Sequence, residues 1–206
     1  MTKLTAAEHQ AISDAVTAVE TTTSAELVTV ITPSSDDYNF IPLLWPATIA
    51  LLVGPAMMLL RPDASLLNVT AIQAGVLIAL GLATRWLPLR VWLVPKMVKH
   101  RRATLQARAQ FLAQNVHLSR DHTGVLIFVS LAERYVEIIA DKGINDKVDP
   151  HVWSATIDTF RDAVKAGNMV EGLLKTIADC GAVLAQHCPP SPDDINELPN
   201  HPIELD

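Results

Sequence analysis

Two long stretches without a charged side chain constrain this chain more than any other feature. The first runs from Tyr38 to Leu60 and the second from Ala64 to Thr84, with only Arg61-Pro62-Asp63 between them. An α-helix rises about 1.5 Å per residue, so about twenty residues cross a hydrocarbon layer roughly 30 Å thick. Each stretch is that long. Two core helices of a soluble protein would be the competing explanation, but the remainder of the 206 residues is too small to wrap both. A secretory signal peptide fits poorly, because the first stretch lies far from Met1 and no basic region precedes it. A transmembrane hairpin is therefore expected within residues 38–95, flanked by the two parts of one polar domain.

The flanks set an orientation. Arg85, Arg90, Lys96, Lys99, Arg101 and Arg102 follow the second stretch, whereas the connecting loop carries one base, Arg61. By the positive-inside rule the segment after the hairpin is cytoplasmic, and two spans return the N-terminus to the same side. The expected location is a bacterial inner (plasma) membrane, with two spans and both termini cytoplasmic. Trp45 and Trp86 suit the aromatic belts at the interfaces, and Pro42, Pro46, Gly54 and Pro55 are tolerated in bilayer helices. The segment WLPLRVWLVPKMVKHRR reads either as an interfacial stretch along the headgroups or as a plain stop-transfer flank.

Charge excludes several classes. Neither stretch contains an Asp, Glu, Lys, Arg or His, which argues against a transporter or channel. The net charge is −6, and the basic cluster adjoins the second stretch, so anionic lipid is a better partner than nucleic acid. Cys180 and Cys188 are the only cysteines, with no CxxC or Cys/His metal spacing, and are expected to be reduced.

The polar remainder reads as one domain in two pieces, residues 1–37 and 96–188. Thr5-Ala6-Ala7-Glu8 is a capping box, followed by Ile12, Ala15, Val16 and Val19 at helical spacing. Ala25 to Thr32 is a strand rich in β-branched residues, ended by Pro33-Ser34-Ser35-Asp36. After the hairpin, Lys96 to His117 is helical, with Leu105, Ala109, Leu112 and Val116 expected to face inward. Thr123 to Ser130 and Arg134 to Ala140 are strands whose short link makes them antiparallel neighbours. Asp149-Pro150 opens a helix ended by Gly167-Asn168, and Val170 to about His187 forms another. The first strand is expected to pair with the second through a crossover. From Pro189 to Asp206 the chain is Pro-rich and acidic without Lys or Arg, and reads as a mobile tail or, alternatively, a docking motif.

The opening LTAAEHQAISDAVTAVETTTSAELVTVI, the segment TGVLIFVSLAERYVEIIADKGI and the later DPHVWSATIDTFRDAVKAGNMVEGLLKTIADCGAVLAQH resemble the TPM domain family. The resemblance implies a small α/β sandwich with a mixed sheet, here interrupted by a two-helix transmembrane hairpin. Relatives include a plant thylakoid protein linked to photosystem II repair and credited with acid phosphatase activity, and an animal auxiliary subunit of an acetylcholine receptor; some members bind calcium. Against that pattern, this chain inserts its hairpin after the first strand and reduces the glycine-rich turn after the third strand to Asp141-Lys142-Gly143-Ile144-Asn145-Asp146.

No GxxxxGK[ST], GxGxxG, GxSxG or HExxH motif occurs. If the strand hairpin turns near Ala132-Glu133, Asp141 lies across from Gly124 and near Asp121. A parallel first strand brings Glu26 to the same end, and Asp146 follows in the next loop. Glu26, Asp121, Asp141 and Asp146 are thus candidate ligands of a weak calcium or magnesium site, since calcium takes six to eight oxygens. The alternative leaves Asp149 as a helix cap and Asp121, Asp141 and Asp146 as solvated turn residues paired with Arg120, Lys142 or Lys147. His122 and His151 read as surface histidines or as an acid, base or ligand at that edge. Glu133 and Arg134 read as a solvated hairpin tip or an exposed contact point. The expected function is a membrane-anchored accessory or binding module on the cytoplasmic face that supports assembly or maintenance of another membrane protein. Self-association is the other expected partnership, and Gly54, Gly75 and Gly81 are expected to permit close helix contact. A divalent-metal-assisted phosphatase is the alternative that the resemblance implies.

Overall fold

The computed structural model describes residues 4–190 and 195–205, and the chain divides into two compact units. One comprises Met1–Ser35 with His100–Asp206, the other Asp36–Lys99.

The first unit is built on a four-stranded mixed sheet. In chain order it contains α1 (Ala6–Glu20), β1 (Leu27–Thr32), most of α5 (Lys96–Ala113), β2 (Val125–Ser130), β3 (Tyr135–Ala140), a short α6 (Lys142–Asn145), α7 (Pro150–Lys165), α8 (Met169–His187) and β4 (Ile203–Glu204). The strand order is β3-β2-β1-β4, with β2 and β3 antiparallel and the other pairs parallel. Leu27 pairs with Val125 and Thr32 with Ser130, so two strands separated by the whole inserted unit lie side by side along their full length. Every residue of β1 and β2 is buried. That is the burial expected of parallel strands covered on both faces, and it explains their near-continuous apolar sequence.

The strand period of two sorts the core into two layers. Leu27, Ile31, Val125, Ile127 and Val129 face α1, α7 and α8, whose Ile12, Val16, Trp153, Phe160, Leu173, Ile177 and Leu184 complete that layer. Val28, Val30, Leu126 and Phe128 face the other way, against Ala107, Phe111 and Val116. The helix starts are locally encoded. Thr5 and Glu8 form a complete capping box, and Asp149 accepts the His151 N–H to cap α7. Cys180 and Cys188 are both free and buried, and burial pushes the Cys180 thiol up to about 12.

Two expectations change at this level. The inward face of α5 is made by Ala103 and Ala107, both at 0% exposure, while Leu105 and Leu112 are 51% and 59% exposed. Ala107 packs in the second core layer with Val28, Val30, Leu126 and Phe128. The second change concerns the C-terminal segment, expected to be mobile. Residues 195–205 instead lie on the first unit: Val30 pairs with Ile203 and Ile31 with Glu204, and Leu198, Ile203 and Leu205 pack on the second core layer.

The second unit is a helical hairpin of α2 (Ile41–Leu60) and α3 (Leu66–Ala83), followed by the short α4 (Leu87–Leu93). Both long helices are long and apolar enough to cross a membrane. Their side chains are not stored in a core. Leu59 is 83% exposed and Leu66 79%, and no residue of α3 is buried. Polar atoms within the helices find backbone partners: Thr48, Thr70 and Thr84 donate to carbonyls one turn earlier, and Gln73 Nε2 donates to the Ala50 carbonyl across the hairpin at 3.3 Å. Gly54 lies under Gln73, since a Cβ there would sit 3.1 Å from its Nε2; Gly75 faces open space, and a Cβ on Gly81 would make an ordinary contact. Only one of the three glycines is therefore at a close approach. At the base of the hairpin Arg90 donates from Nη1 to the Asp37 carbonyl (2.9 Å) and Asn39 Oδ1 (3.1 Å), and from Nη2 to the Arg85 carbonyl (2.7 Å). One guanidinium thus ties the chain before α2 to the chain after α3.

The α5 assignment has a direct test. Ala107→Leu is expected to cost about 1–3 kcal/mol through overpacking, and Leu112→Ala to change stability by less than about 0.5 kcal/mol. Denaturant unfolding of the purified variants measures both, and the reverse ranking would place the wrong face of α5 against the sheet.

Candidate functional site

The parallel β1–β2 pair and the returning β3 bring Glu26, Gly124 and Asp141 to one end of the sheet. The Val125 N–H donates to the Glu26 carbonyl (2.8 Å) and the Asp141 N–H to the Gly124 carbonyl (2.9 Å). The loop before β2 and the loop after β3 meet there. Asp141 accepts the Lys142 N–H at 2.7 Å through Oδ1, while its Oδ2 lies 3.0 Å from Nδ1 of His122. The His122 ring is largely exposed and the Asp141 carboxylate largely covered. A carboxylate that holds one imidazole nitrogen fixes the ring and leaves Nε2 to act as acid, base or ligand.

Gly143 makes this junction possible. Its N–H donates to the His122 carbonyl (2.9 Å), and a Cβ at this position would lie 2.4 Å from the Asp121 carbonyl oxygen and 2.7 Å from that of His122. The one glycine kept in the reduced turn is thus required by backbone contact. His122 itself takes a left-handed conformation, φ +55°, which turns the chain sharply into β2.

The expected metal ligands separate. Glu26 is buried, and its two carboxylate oxygens accept the backbone N–H groups of Glu197 (3.0 Å) and Leu198 (3.2 Å), so it holds the C-terminal segment. Asp121 and Asp146 are exposed, and Asp146 stands at the C-cap of α6. Asp141 alone of the four is joined to another candidate, His122. Among the described residues no three His, Cys, Asp or Glu side chains come together as a metal-holding group. Sequence reasoning brought these residues to the correct edge but could not foresee that the tail amides occupy Glu26.

Glu133 corrects another expectation. It is only 7% exposed, and its carboxylate accepts from Ser34 Oγ (3.1 Å), the Ser35 N–H (3.1 Å) and Ser130 Oγ. Ser35 Oγ also donates to Ser130 Oγ at 2.8 Å. The hairpin tip therefore folds back over the ends of β1 and β2, and Glu133 fixes the chain as it leaves β1. The signal was present in the paired serines that follow β1 and end β2, but it becomes readable only once those strand ends are known to be adjacent.

Residues 83–183 match the profile of the TPM domain. Over these residues the chain is similar to the TPM domain. The match takes in α5, β2, β3, α6, α7 and most of α8, including His122, Asp141 and Gly143. The BA42 protein of the psychrophilic bacterium Bizionia argentinensis, solved by NMR, is similar in fold, with a TM-score of 0.63 and 23% identity over 99% of this chain and 97% of that one. No curated protein matches the chain.

At this junction Gly143→Ala is expected to cost about 1–3 kcal/mol, because the clash is with backbone rather than with a movable side chain. Gly75→Ala, with open space around it, serves as the control. Thermal unfolding of both variants checks this, and equal melting temperatures would remove Gly143 from its role at the His122–Asp141 junction.

Proposed function

We propose that the chain is a membrane-anchored TPM module whose α2–α3 hairpin spans the bilayer and whose α/β unit acts on the cytoplasmic face as a binding or accessory part for another membrane protein. The observation that carries the anchor is the exposure of the apolar side chains of both helices. Exposed leucines along about twenty residues are costly in water, at roughly 25 cal/mol for each Å² of apolar surface, and cost nothing in hydrocarbon. The hydroxyl-to-carbonyl bonds of Thr48, Thr70 and Thr84 and the Gln73–Ala50 bond support the same reading, since polar groups in a bilayer must be satisfied internally. The bases that follow the hairpin favour a cytoplasmic α/β unit. The membrane lipids and a second membrane protein are the partners this reading requires.

A metal-assisted phosphatase is favoured by one observation, the His122–Asp141 pair beside a surface that also carries Asp121 and Asp146. A general base held by a carboxylate suits phosphoester hydrolysis, but an accessory module needs no such chemistry.

The two readings are tested together. Membranes containing the full chain are washed with high salt and alkaline carbonate, and the purified protein is assayed on a generic phosphomonoester with calcium or magnesium. The chain is expected to stay with the membranes until detergent is added and to show no hydrolysis above that of the His122→Ala variant. Release by carbonate would overturn the anchor. Hydrolysis abolished by both His122→Ala and Asp141→Asn would make the phosphatase the better reading.

A further inference from the structure

The helical hairpin carries its excess charge at one end. α2 begins at Ile41 and α3 ends at Ala83, so residues 36–40 and 84–99 meet at that end of the second unit, where Arg90 binds the Asp37 carbonyl, Asn39 Oδ1 and the Arg85 carbonyl. The segment from Arg85 to Lys99 holds four bases, Arg85, Arg90, Lys96 and Lys99, and no acid. With Asp36 and Asp37 on the entering chain, bases outnumber acids there by four to two. The opposite end carries one of each, Arg61 and Asp63.

Internal partners do not take up this charge. Among the described residues none of the four bases is ion-paired with a carboxylate. Arg90 is held by four hydrogen bonds, but every acceptor is an uncharged oxygen: the Asp37 carbonyl, the Asn39 amide and, through both Nε and Nη2, the Arg85 carbonyl. Its position is fixed and its charge is not cancelled. Lys96 and Lys99 stand in the first turn of α5, where the helix dipole opposes a cation and no acid is present. Aromatic side chains gather at the same end. Three of the four tryptophans, Trp45, Trp86 and Trp92, belong to it, and Trp86 and Trp92 are largely exposed. Uncancelled cations beside exposed indoles are what a headgroup layer satisfies, since phosphate meets the bases and an indole sits between hydrocarbon and water.

We propose that this end of the hairpin is a binding surface for anionic phospholipid, with Arg85, Arg90, Lys96 and Lys99 facing the headgroups and Trp86 and Trp92 at the hydrocarbon boundary. The proposal rests on the membrane anchor and adds a lipid class to it, because a hairpin held by its apolar length alone would accept zwitterionic lipid equally. Lipid is the occupant that charge and position favour: the patch is positive and adjoins both apolar helices, where headgroups are the nearest source of negative charge. A guanidinium fixed in place, as that of Arg90 is, matches a phosphate in shape as well as in charge.

The tryptophans report the contact directly. The full chain is reconstituted in phosphatidylcholine vesicles that contain a minor share of either brominated phosphatidylglycerol or brominated phosphatidylcholine, and tryptophan quenching is measured. Brominated phosphatidylglycerol is expected to quench more strongly, with a local preference of about fivefold, the worth of one base at an anionic surface. High salt is expected to abolish the difference, because the screening length falls to about 3 Å in molar salt. The triple variant Arg85→Gln, Lys96→Gln, Lys99→Gln keeps Arg90 to close the hairpin base. It is expected to lose the preference but to retain quenching by brominated phosphatidylcholine, which shows that it is still inserted; Arg61→Gln, at the other end, is expected to keep both. Equal quenching of the wild-type chain by the two lipids would overturn the anionic-lipid surface and leave the anchor standing. Quenching by neither would overturn the anchor and the lipid surface with it. A preference retained by the triple variant, or lost equally in Arg61→Gln, would overturn the assignment to this end of the hairpin.

Discussion

The parallel pairing of β1 with β2 is the interaction on which the rest of the structure depends. Leu27 to Thr32 and Val125 to Ser130 are separated in sequence by the whole helical hairpin, yet they form one continuous ladder with both faces buried. Each core layer is anchored on this pair, one through Leu27, Ile31 and Ile127, the other through Val28, Leu126 and Phe128. An isolated strand of this length has no stability in water. The insertion is tolerated because its ends are fixed independently. Glu133, Ser34, Ser35 and Ser130 hold the chain where it leaves β1, and within the second unit Arg90 ties the residues before α2 to those after α3. The loop-closure cost of a long insertion grows only slowly with its length.

This arrangement explains what could be read from the residues. β1 and β2 announce themselves as apolar, β-branched runs because both their faces are buried. The capping box at Thr5 and the Asp149-Pro150 start are short-range signals and do not depend on tertiary context. The antiparallel register of β2 and β3, which places Asp141 opposite Gly124, follows from the short link between them. The uncharged hairpin helices needed only length and composition.

The remainder lay in long-range contacts. Glu26 and Glu133 are acidic residues that composition assigns to solvent or metal, and both are buried as acceptors for groups remote in sequence. The C-terminal segment is Pro-rich and acidic, hence legible as a tail, but it is retained by backbone donors that no side-chain pattern reveals. On α5 the leucines mark an exposed face, and the buried positions are the small residues Ala103 and Ala107, which carry little hydrophobic signal. Of the candidate site, the shared edge follows from register; the contact of His122 with Asp141 and the closeness of Gly143 to the Asp121 and His122 carbonyls do not. The match to the TPM domain takes in His122, Asp141 and Gly143 but leaves out β1 and the C-terminal segment that pairs with it.

The most direct measurement is amide hydrogen exchange in the purified full chain, read at Leu27 to Thr32 and at Val125 to Ser130. Both sets of amides are expected to be the slowest in the α/β unit and to share one opening free energy, since neither strand persists without the other. Exchange of the β1 amides markedly faster than those of β2 would mean that the sheet holds together without the strand before the hairpin, and would contradict the ladder as the joint between the two halves.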